Sequence, residues 1–451
     1  MAGYYDASPR LARKGRMRIA FVRPNLRATR SSDAMTPLSF AVLRSLTPSD
    51  VEAVLYDERL EEVPLDESAD LVAITVETYT ARRAYQIAAT YRRVGIPVVM
   101  GGYHPTFLPH EALEHADAVV RGDAEGIWPR VVEDARRGFM KGIYEQAEFP
   151  ALGGLPPDHG IFAGKRYAPI SLVQYGRGCR YACDFCSIRA FYGSSLRQRP
   201  VREVVEEIER LQHKHVFIVD DNIFVDVERA KELFRALTPL GIRWSCQVSI
   251  DITRDPELVA LMQESGCISA LVGFESLEPR NLKQMAKGWN LKYDYRTAID
   301  VLHDHGIMIY GTFVFGYDHD TVESFDATVE FAVENKLMLA NFNPLTPTPG
   351  ARLYDRLERE GRLIYDRWWL DPGFRYGHAT YHPRGMTADE LTEGCYRART
   401  SFNTARSTAK RLLDRRTHLR DFRRFGLYLL SNRISKREIH AKQGQILGAP
   451  A

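Results

Sequence analysis

Cysteine is scarce in this chain: there are six among 451 residues, and none before Cys179. A large chain with so few thiols is not held by a disulfide framework and is expected to work reduced, inside the cell. Long apolar runs are also missing. No window approaches about eighteen consecutive apolar residues, so no transmembrane helix is expected. Met1 to Arg16 is polar and basic without an apolar h-region, which is not a secretory signal, and a cytoplasmic location is expected. Net charge is low. At +3 it is too small to argue for a nucleic-acid partner, and none is expected. Repeats and low-complexity segments are absent, and a composition 45% apolar and 26% charged suits an ordinary soluble protein of two or three domains.

What is present is concentrated. Half of the cysteines lie within Gly176-Arg177-Gly178-Cys179-Arg180-Tyr181-Ala182-Cys183-Asp184-Phe185-Cys186. The spacing C-x3-C-x2-C lets one short loop wrap three corners of an iron–sulfur cube, with no fourth cysteine nearby for the last iron. That iron is left open for chemistry. Structural zinc needs four N or S ligands, and His159 and His213 each lie at least 20 residues away, so a zinc knuckle would require a remote ligand. Three clustered cysteines cannot pair among themselves as disulfides. Cys246, Cys267 and Cys395 are scattered and suit small buried thiols rather than a second cluster.

Two α/β series flank the motif. In the first, apolar strands are expected at Arg18–Val22, Val51–Tyr56, Leu71–Val76, Pro97–Met100 and Ala118–Val120, with helices at Ala81–Val94, Pro109–His115 and Trp128–Arg137. This is the pattern of a flavodoxin-like doubly wound domain, expected over residues 17–148 after a tail of residues 1–16. Its ligand crevice falls beyond the strand carboxyl ends, where Gly101, Gly102, Gly122 and Glu125 stand. Residues 149–167, rich in Gly and Pro, are expected to be a linker. Over residues 168–350 six further strands are expected, at Ser171–Tyr175, Val216–Val219, Arg243–Ile250, Ile268–Phe274, Met308–Phe315 and Met338–Asn343. The helices between them are Val201–His213, Val227–Leu240, Pro256–Ser265, Lys292–His305 and Thr321–Asn335. With no antiparallel signal, they predict a partial (β/α)6 TIM barrel whose active site lies on the loops after the strands. The cysteine loop follows the first of them directly. Residues 351–451 are expected to form a mostly helical, basic extension, with Thr387-Ala388-Asp389-Glu390 as a capping box.

The cysteine spacing, with Phe185 just before Cys186, resembles the signature of the radical S-adenosylmethionine (SAM) superfamily. The resemblance implies a [4Fe–4S] cluster on Cys179, Cys183 and Cys186, SAM chelated by the open iron, and reductive cleavage of SAM to methionine and a 5′-deoxyadenosyl radical. It also implies an electron donor such as flavodoxin or ferredoxin. Asp220, Asp221 and Asn222 end the second barrel strand where the family often has Gly-Gly-Glu; acceptor oxygens there would meet the SAM ammonium, with the choice between the two acids open. Ser245, Gln247 and Ser249 alternate along the third strand and so share one face, offering hydroxyl and amide groups to ribose or carboxylate or simply pairing among themselves. Glu275 closes the fourth strand where similar proteins put a SAM-contacting acid, a solvated loop carboxylate being the alternative. Gly311 and Gly316 would let a flat adenine approach the fifth strand, or only mark a bend.

The domain order resembles the cobalamin-binding class of radical SAM enzymes, of which hopanoid methylases are members, and the resemblance covers essentially the whole chain. The lack of cysteine before residue 179 separates it from the methylthiotransferases, which carry three cluster cysteines in front. A D-x-H-x-x-G sequence is absent and Arg23 to Thr36 holds no histidine, so cobalamin is expected without a protein histidine on cobalt; a retained scaffold is the competing reading. The class implies a methyltransferase acting on an unactivated carbon of a lipid, pigment or natural product. The alternatives are a cobalamin-independent cyclase, coupling or rearrangement enzyme and, in another class, a non-enzymatic metal-binding module. In the tail, basic residues from Lys410 to Arg424 recur beside Leu412, Leu413, Phe422, Phe425 and Leu427 to Leu430. A packed helix with its cations in water is one reading, peripheral contact with an anionic membrane the other.

Overall fold

The computed structural model describes residues 16–26, 30–31, 33–65 and 69–448. The described residues form two compact units: one takes in the chain through Leu26, Pro37–Pro150 and Leu155–Lys165, and the other Ala151–Gly154, the described part of 27–36, and Arg166 onward.

The front unit is built on six parallel strands: β1 (Arg18–Arg23), β2 (Glu52–Asp57), β3 (Leu71–Thr75), β4 (Val98–Gly101), β5 (Ala118–Val120) and β6 (Gly142–Tyr144). They lie in the order β2-β1-β3-β4-β5-β6. Ile19 to Val22 and Leu71 to Ile74 are buried on both faces, the continuous apolar run that a sheet covered by helices demands. The helices are Leu38–Leu46, Ala81–Arg93, Pro109–His115 and Trp128–Arg136, with a short turn of helix at Tyr103–Phe107. The order reverses at β1, the switch point beyond which an open α/β sheet forms a crevice. The five expected strands are present. β6 goes beyond them: three residues are too few to stand out as an apolar run, and it exists by pairing with β5, Val119 opposite Ile143. The Gly/Pro-rich segment expected as a linker is itself packed, with Asp158 N–H donating to Ala41 O at 2.9 Å and a helical turn at His159–Phe162.

The second unit carries β7 (Ser171–Val173), β8 (Gly176–Arg177), β9 (Arg197–Gln198), β10 (His215–Ile218), β11 (Arg243–Val248), β12 (Cys267–Glu275), β13 (Met308–Phe315) and β14 (Leu339–Pro344). Six of these form a parallel sheet in the order β14-β13-β12-β11-β10-β7, so the strands follow one another in sequence as in a barrel, while β7 and β14 are not bonded to each other. This is the partial barrel expected. Helices Val201–Arg210, Val227–Leu237, Pro256–Glu264, Tyr295–Asp304 and Val322–Glu334 alternate with the strands. Asp226, Asp255 and Asp294 cap three of them by accepting the N–H groups of Arg229, Leu258 and Thr297, so the chain turns sharply from strand to helix. β8 and β9 are an antiparallel ribbon that the sequence did not announce, and it brackets the cysteine loop.

Beyond β14 run the helices Arg352–Arg359, Ala388–Phe402, Ala405–Leu412 and Phe422–Lys442. The basic stretch Lys410 to Arg424 is not one helix, and not all of its cations are in water. Arg411 is fully buried: its guanidinium donates to Leu337 O, Met338 O, Phe402 O and Asn432 Oδ1 and lies 3.7 Å over the Phe402 ring.

Candidate active site and cofactor cradle

The three cysteines sit half-buried on the loop between β8 and helix Ser187–Tyr192. Every residue between them except Phe185 is tied elsewhere in the unit by a side chain or backbone group. Arg180 reaches Asp251 at 3.5 Å and the Tyr181 hydroxyl donates to the same carboxylate, while its ring stacks on Trp289 at 3.9 Å. Ala182 O accepts from the Arg352 guanidinium. Asp184 gathers most: its N–H donates to Met285 O, its carbonyl accepts from Leu353 N–H, and its carboxylate accepts from Tyr317 Oη at 2.5 Å with Arg356 at 3.4 Å. Phe185 packs partly buried against the main core. The loop is thus fixed by the ends of β11, β12 and β13 and by the helix that follows β14.

Burial pushes the Cys183 thiol up to about 12 and Cys186 to about 11, with the Lys287 charge pulling Cys183 back. Cys179 is raised for the same reason, opposed by hydrogen bonds from the Tyr181 backbone and the Asn222 side chain. Thiols so placed bind metal by giving up protons. Among the described residues no three His, Cys, Asp or Glu side chains converge to hold a single ion. Zinc requires that convergence; a cube taking one thiolate at each of three irons does not. The cysteines fit the cluster.

The other residues named from sequence surround this loop with differing freedom. Asp220, 4% exposed, is committed to backbone: Oδ1 accepts from Tyr175 N–H at 2.7 Å, and burial lifts its carboxyl to about 7. Asp221 Oδ2 accepts from Gly178 N–H at 2.8 Å, at the entry to the cysteine loop. Asn222 donates to Ser249 Oγ, which donates on to Asp251, while Ser245 pairs with Ser269 at 2.7 Å. Gln247 is exposed although it lies in the middle strands of the sheet, because its face looks into the open interior of the barrel. Gly311 and Gly316 do not face that interior. A Cβ at Gly311 would lie 2.8 Å from Leu337, and one at Gly316 would strike the Tyr381 hydroxyl, so both make room for packing.

Glu275 is 8% exposed and adopts φ +65°, a left-handed conformation that turns its carboxylate back. There it meets Lys287 Nζ at 2.8 Å, a lysine only 5% exposed that also donates to Gly273 O. Lys287 was not legible in the sequence; the one hint is a lone cation in Met285-Ala286-Lys287-Gly288 after the strand-end acid. The register Gly273 opposite Thr312 and Thr312 opposite Asn341 adds further interior positions that alternation along β13 and β14 could have revealed.

In the front unit, the ends of β3, β4 and β5 converge. Gly101 O accepts from Val76 N–H, Val76 O from His104 N–H, and Thr106 Oγ1 from Gly122 N–H at 3.0 Å. Gly102 has φ +106°, and a Cβ would lie 2.9 Å from Val76 O. Gly122 has φ +83° with nothing within 4 Å of where a Cβ would stand, so bare backbone faces open space. A flat macrocycle fits against such a surface. Below it, His104 Nε2 lies 3.1 Å from Tyr85 Oη and 2.9 Å from Glu111 Oε1, a buried network that fastens the loop after β4.

A parallel sheet with a glycine-lined crevice and a barrel with a three-cysteine loop at its strand ends define a two-cofactor radical enzyme. Residues 44–132 match the B12 binding domain and residues 173–332 the radical SAM superfamily. The chain is 33% identical over 396 residues to a bacteriochlorophyllide d C-12(1)-methyltransferase of Chlorobaculum tepidum, covering 84% of this chain and 86% of that one. It is 30% identical over 355 residues to the C-8(2)-methyltransferase of the same organism, covering 73% and 78%. In fold it is similar to TsrM, a radical SAM methyltransferase of Kitasatospora setae solved with cobalamin and a [4Fe–4S] cluster, at a TM-score of 0.61 and 17% identity over 77% of this chain and 75% of that one. The chain belongs to the B12-binding class of the radical SAM superfamily. It is a cobalamin-dependent radical SAM methyltransferase of a small molecule, with SAM, a [4Fe–4S] cluster and cobalamin as its cofactors. Among the described residues no helix is long and apolar enough to cross a membrane.

Proposed function

We propose that the small molecule is a tetrapyrrole and that the methyl group goes to an unactivated carbon on one of its substituents. The observation that carries this is the match to two enzymes named for bacteriochlorophyllide d, over 86% and 78% of their lengths. When bound, the cluster supplies the cleaving electron and the corrinoid the methyl group. The chain's residues then have separable tasks. Cys179, Cys183 and Cys186 hold the cluster; Lys287 offers its ammonium to the SAM carboxylate, and Glu275 and Asp221 offer acceptors to the SAM ammonium. Asn222, Ser245 and Ser249 keep that wall rigid, while Gln247 reaches the ribose. Gly101, Gly102, Gly122 and Glu125 line the corrinoid cradle. A reduced flavodoxin or ferredoxin in the cytoplasm is the electron donor we expect. The exposed Leu413, Phe422 and Leu430 beside the basic tail support transient contact with an anionic membrane, where amphiphilic pigments concentrate.

The test is anaerobic turnover of the reconstituted protein with methyl-deuterated SAM against a chlorophyllide-type tetrapyrrole and a polycyclic lipid. Label should enter the tetrapyrrole. Label in the lipid alone would overturn the substrate assignment and leave the enzyme class standing. Co-sedimentation with anionic vesicles at low and high salt tests the membrane contact, which fails if nothing sediments at low salt.

A further inference from the structure

The cysteines lie at the carboxyl end of the barrel strands. At the opposite end, the entries to β10, β11 and β12 meet the start of helix Phe422–Lys442 around a cavity of about 320 Å³. Lys214, His215 and Arg243 line it from the strand side, and Arg423, Arg424 and Leu427 from the helix. None of its lining residues is acidic. Arg424 Nη1 is held by Asp421 at 2.6 Å. Among the described residues no carboxylate lies within ion-pair distance of Lys214, Arg243 or Arg423, whereas Arg199, Arg362 and Arg416 elsewhere in this unit are paired with Glu207, Asp318 and Asp300. The helix end itself is closed to ligands, since Asp421 Oδ1 accepts the N–H groups of Arg423 and Arg424. The positive charge therefore belongs to side chains. Burial and the neighbouring charge of Arg243 together hold His215 below the ordinary histidine value, so it adds a neutral hydrogen-bonding edge.

Like charges gathered around one cavity repel within a Debye length of about 10 Å, and among the described residues the fold supplies Asp421 to Arg424 but no counter-charge to Lys214, Arg243 or Arg423. We propose that this cavity binds a phosphate-bearing anion, with Arg243 and Arg423 as planar forks and Lys214 as a point charge. Its volume has room for a diphosphate or for the phosphate headgroup of a lipid. Leu427 on the cavity wall, with exposed Leu430 one turn on and Phe422 at 86% exposure, would accompany an acyl chain if the phosphate is a lipid's. The site stands at the barrel's base, apart from the strand ends where the chemistry belongs. It does not depend on the membrane contact above, because a soluble diphosphate satisfies the same groups.

The test uses the full-length, cluster-reconstituted protein and two probes: inorganic pyrophosphate by calorimetric titration, and phosphatidylcholine vesicles with or without phosphatidic acid by co-sedimentation. The variants are Lys214→Glu with Arg423→Glu, both on the surface, and Lys214→Arg with Arg423→Lys as the charge-conserving control. Iron content and the thermal midpoint show that each variant is folded. Charge reversal should weaken binding of the responsive probe by about tenfold or more, and the conservative pair should retain it. Pyrophosphate binding that vesicles do not share assigns a soluble anion; phosphatidic-acid-dependent sedimentation displaced by pyrophosphate assigns a lipid. Binding of neither probe by the wild type, or binding that charge reversal leaves unchanged, overturns the site.

Discussion

Both units present their working loops at the carboxyl ends of parallel strands, and they furnish those loops in opposite ways. The front sheet offers backbone: Gly122 leaves bare backbone facing open space, Gly102 lets the chain pass close to Val76 O, and the polar side chains nearby, His104, Tyr85 and Glu111, are turned inward to each other. The barrel offers side chains: three thiols, the Glu275–Lys287 pair, and acids that clamp the loop holding the thiols. The cofactor sites proposed above account for the difference. A corrinoid brings the four equatorial nitrogens of its metal with it and asks the protein for shape, whereas an iron–sulfur cube takes its outer ligands from the chain.

The largest test of this contrast is replacement of Cys179, Cys183 and Cys186 by Ala. Cluster iron and 5′-deoxyadenosine formation should fall to background while corrinoid per chain, read from the visible spectrum, stays constant. Loss of both cofactors together would mean that the two sites are not independently furnished.

Acid should next distinguish the units. Burial holds His303 and His418 at about 4, below the ordinary 6.5, and both lie where the tail packs on the barrel, His303 Nδ1 being 3.2 Å from Asp414 Oδ2. Because these imidazoles are neutral when folded, the unfolded chain binds more protons between pH 6.5 and 4. Stability is therefore fully present above 6.5 and is lost as the pH falls toward 4, by on the order of 3 kcal/mol for each imidazole. Hydrogen exchange at pH 7 and pH 5 should show helix Ala405–Leu412 deprotected first, ahead of the front sheet. Equal protection at both pH values would sink the assignment.

Smaller effects separate shape from stability in the front unit. Gly102→Ala forces a side chain into φ +106° against Val76 O, at a cost of about 2 kcal/mol in thermal unfolding. Gly122→Ala meets no protein atom and should cost about 1 kcal/mol, yet it places a methyl group where the corrinoid would lie. Corrinoid retention after gel filtration should fall in both, and retention unchanged in Gly122→Ala would remove that loop from the cradle.

The smallest effect on a cofactor is expected in Tyr317→Phe, which deletes the hydroxyl bonded to Asp184 and should cost about 1–2 kcal/mol of stability. Iron content should hold while the electron paramagnetic resonance signal of the reduced cluster shifts, because the loop between Cys183 and Cys186 loses a strut. An unchanged signal would show that the other contacts of Asp184 suffice.

Reading the residues in order was enough for features whose physics is local. Apolar runs of buried parallel strands, alternating with capped helices, revealed both sheets, since such strands are hydrophobic along their whole length wherever helices cover both faces. The three cysteines were legible because a single short loop must supply all three ligands. β6 was not, since three residues carry no period and the strand forms only by pairing with β5. Nor did composition distinguish Arg411 from the other arginines and lysines around it, although it alone among them is fully buried and wired to six partners.

The sequence by itself therefore determined the two-domain α/β plan and the three-cysteine loop, which rest on neighbours in the chain or on short periods, and the resemblance carried by that loop pointed to the class of chemistry. Tertiary structure alone decided which strand-end acids are free and which are spent. Asp220 is consumed by the Tyr175 backbone, and Glu275, twisted to φ +65°, meets Lys287 after a loop has doubled back. A carboxylate's partner is whatever the fold brings within about 3 Å, and that distance is set by register and turn geometry, which spacing along the chain does not encode.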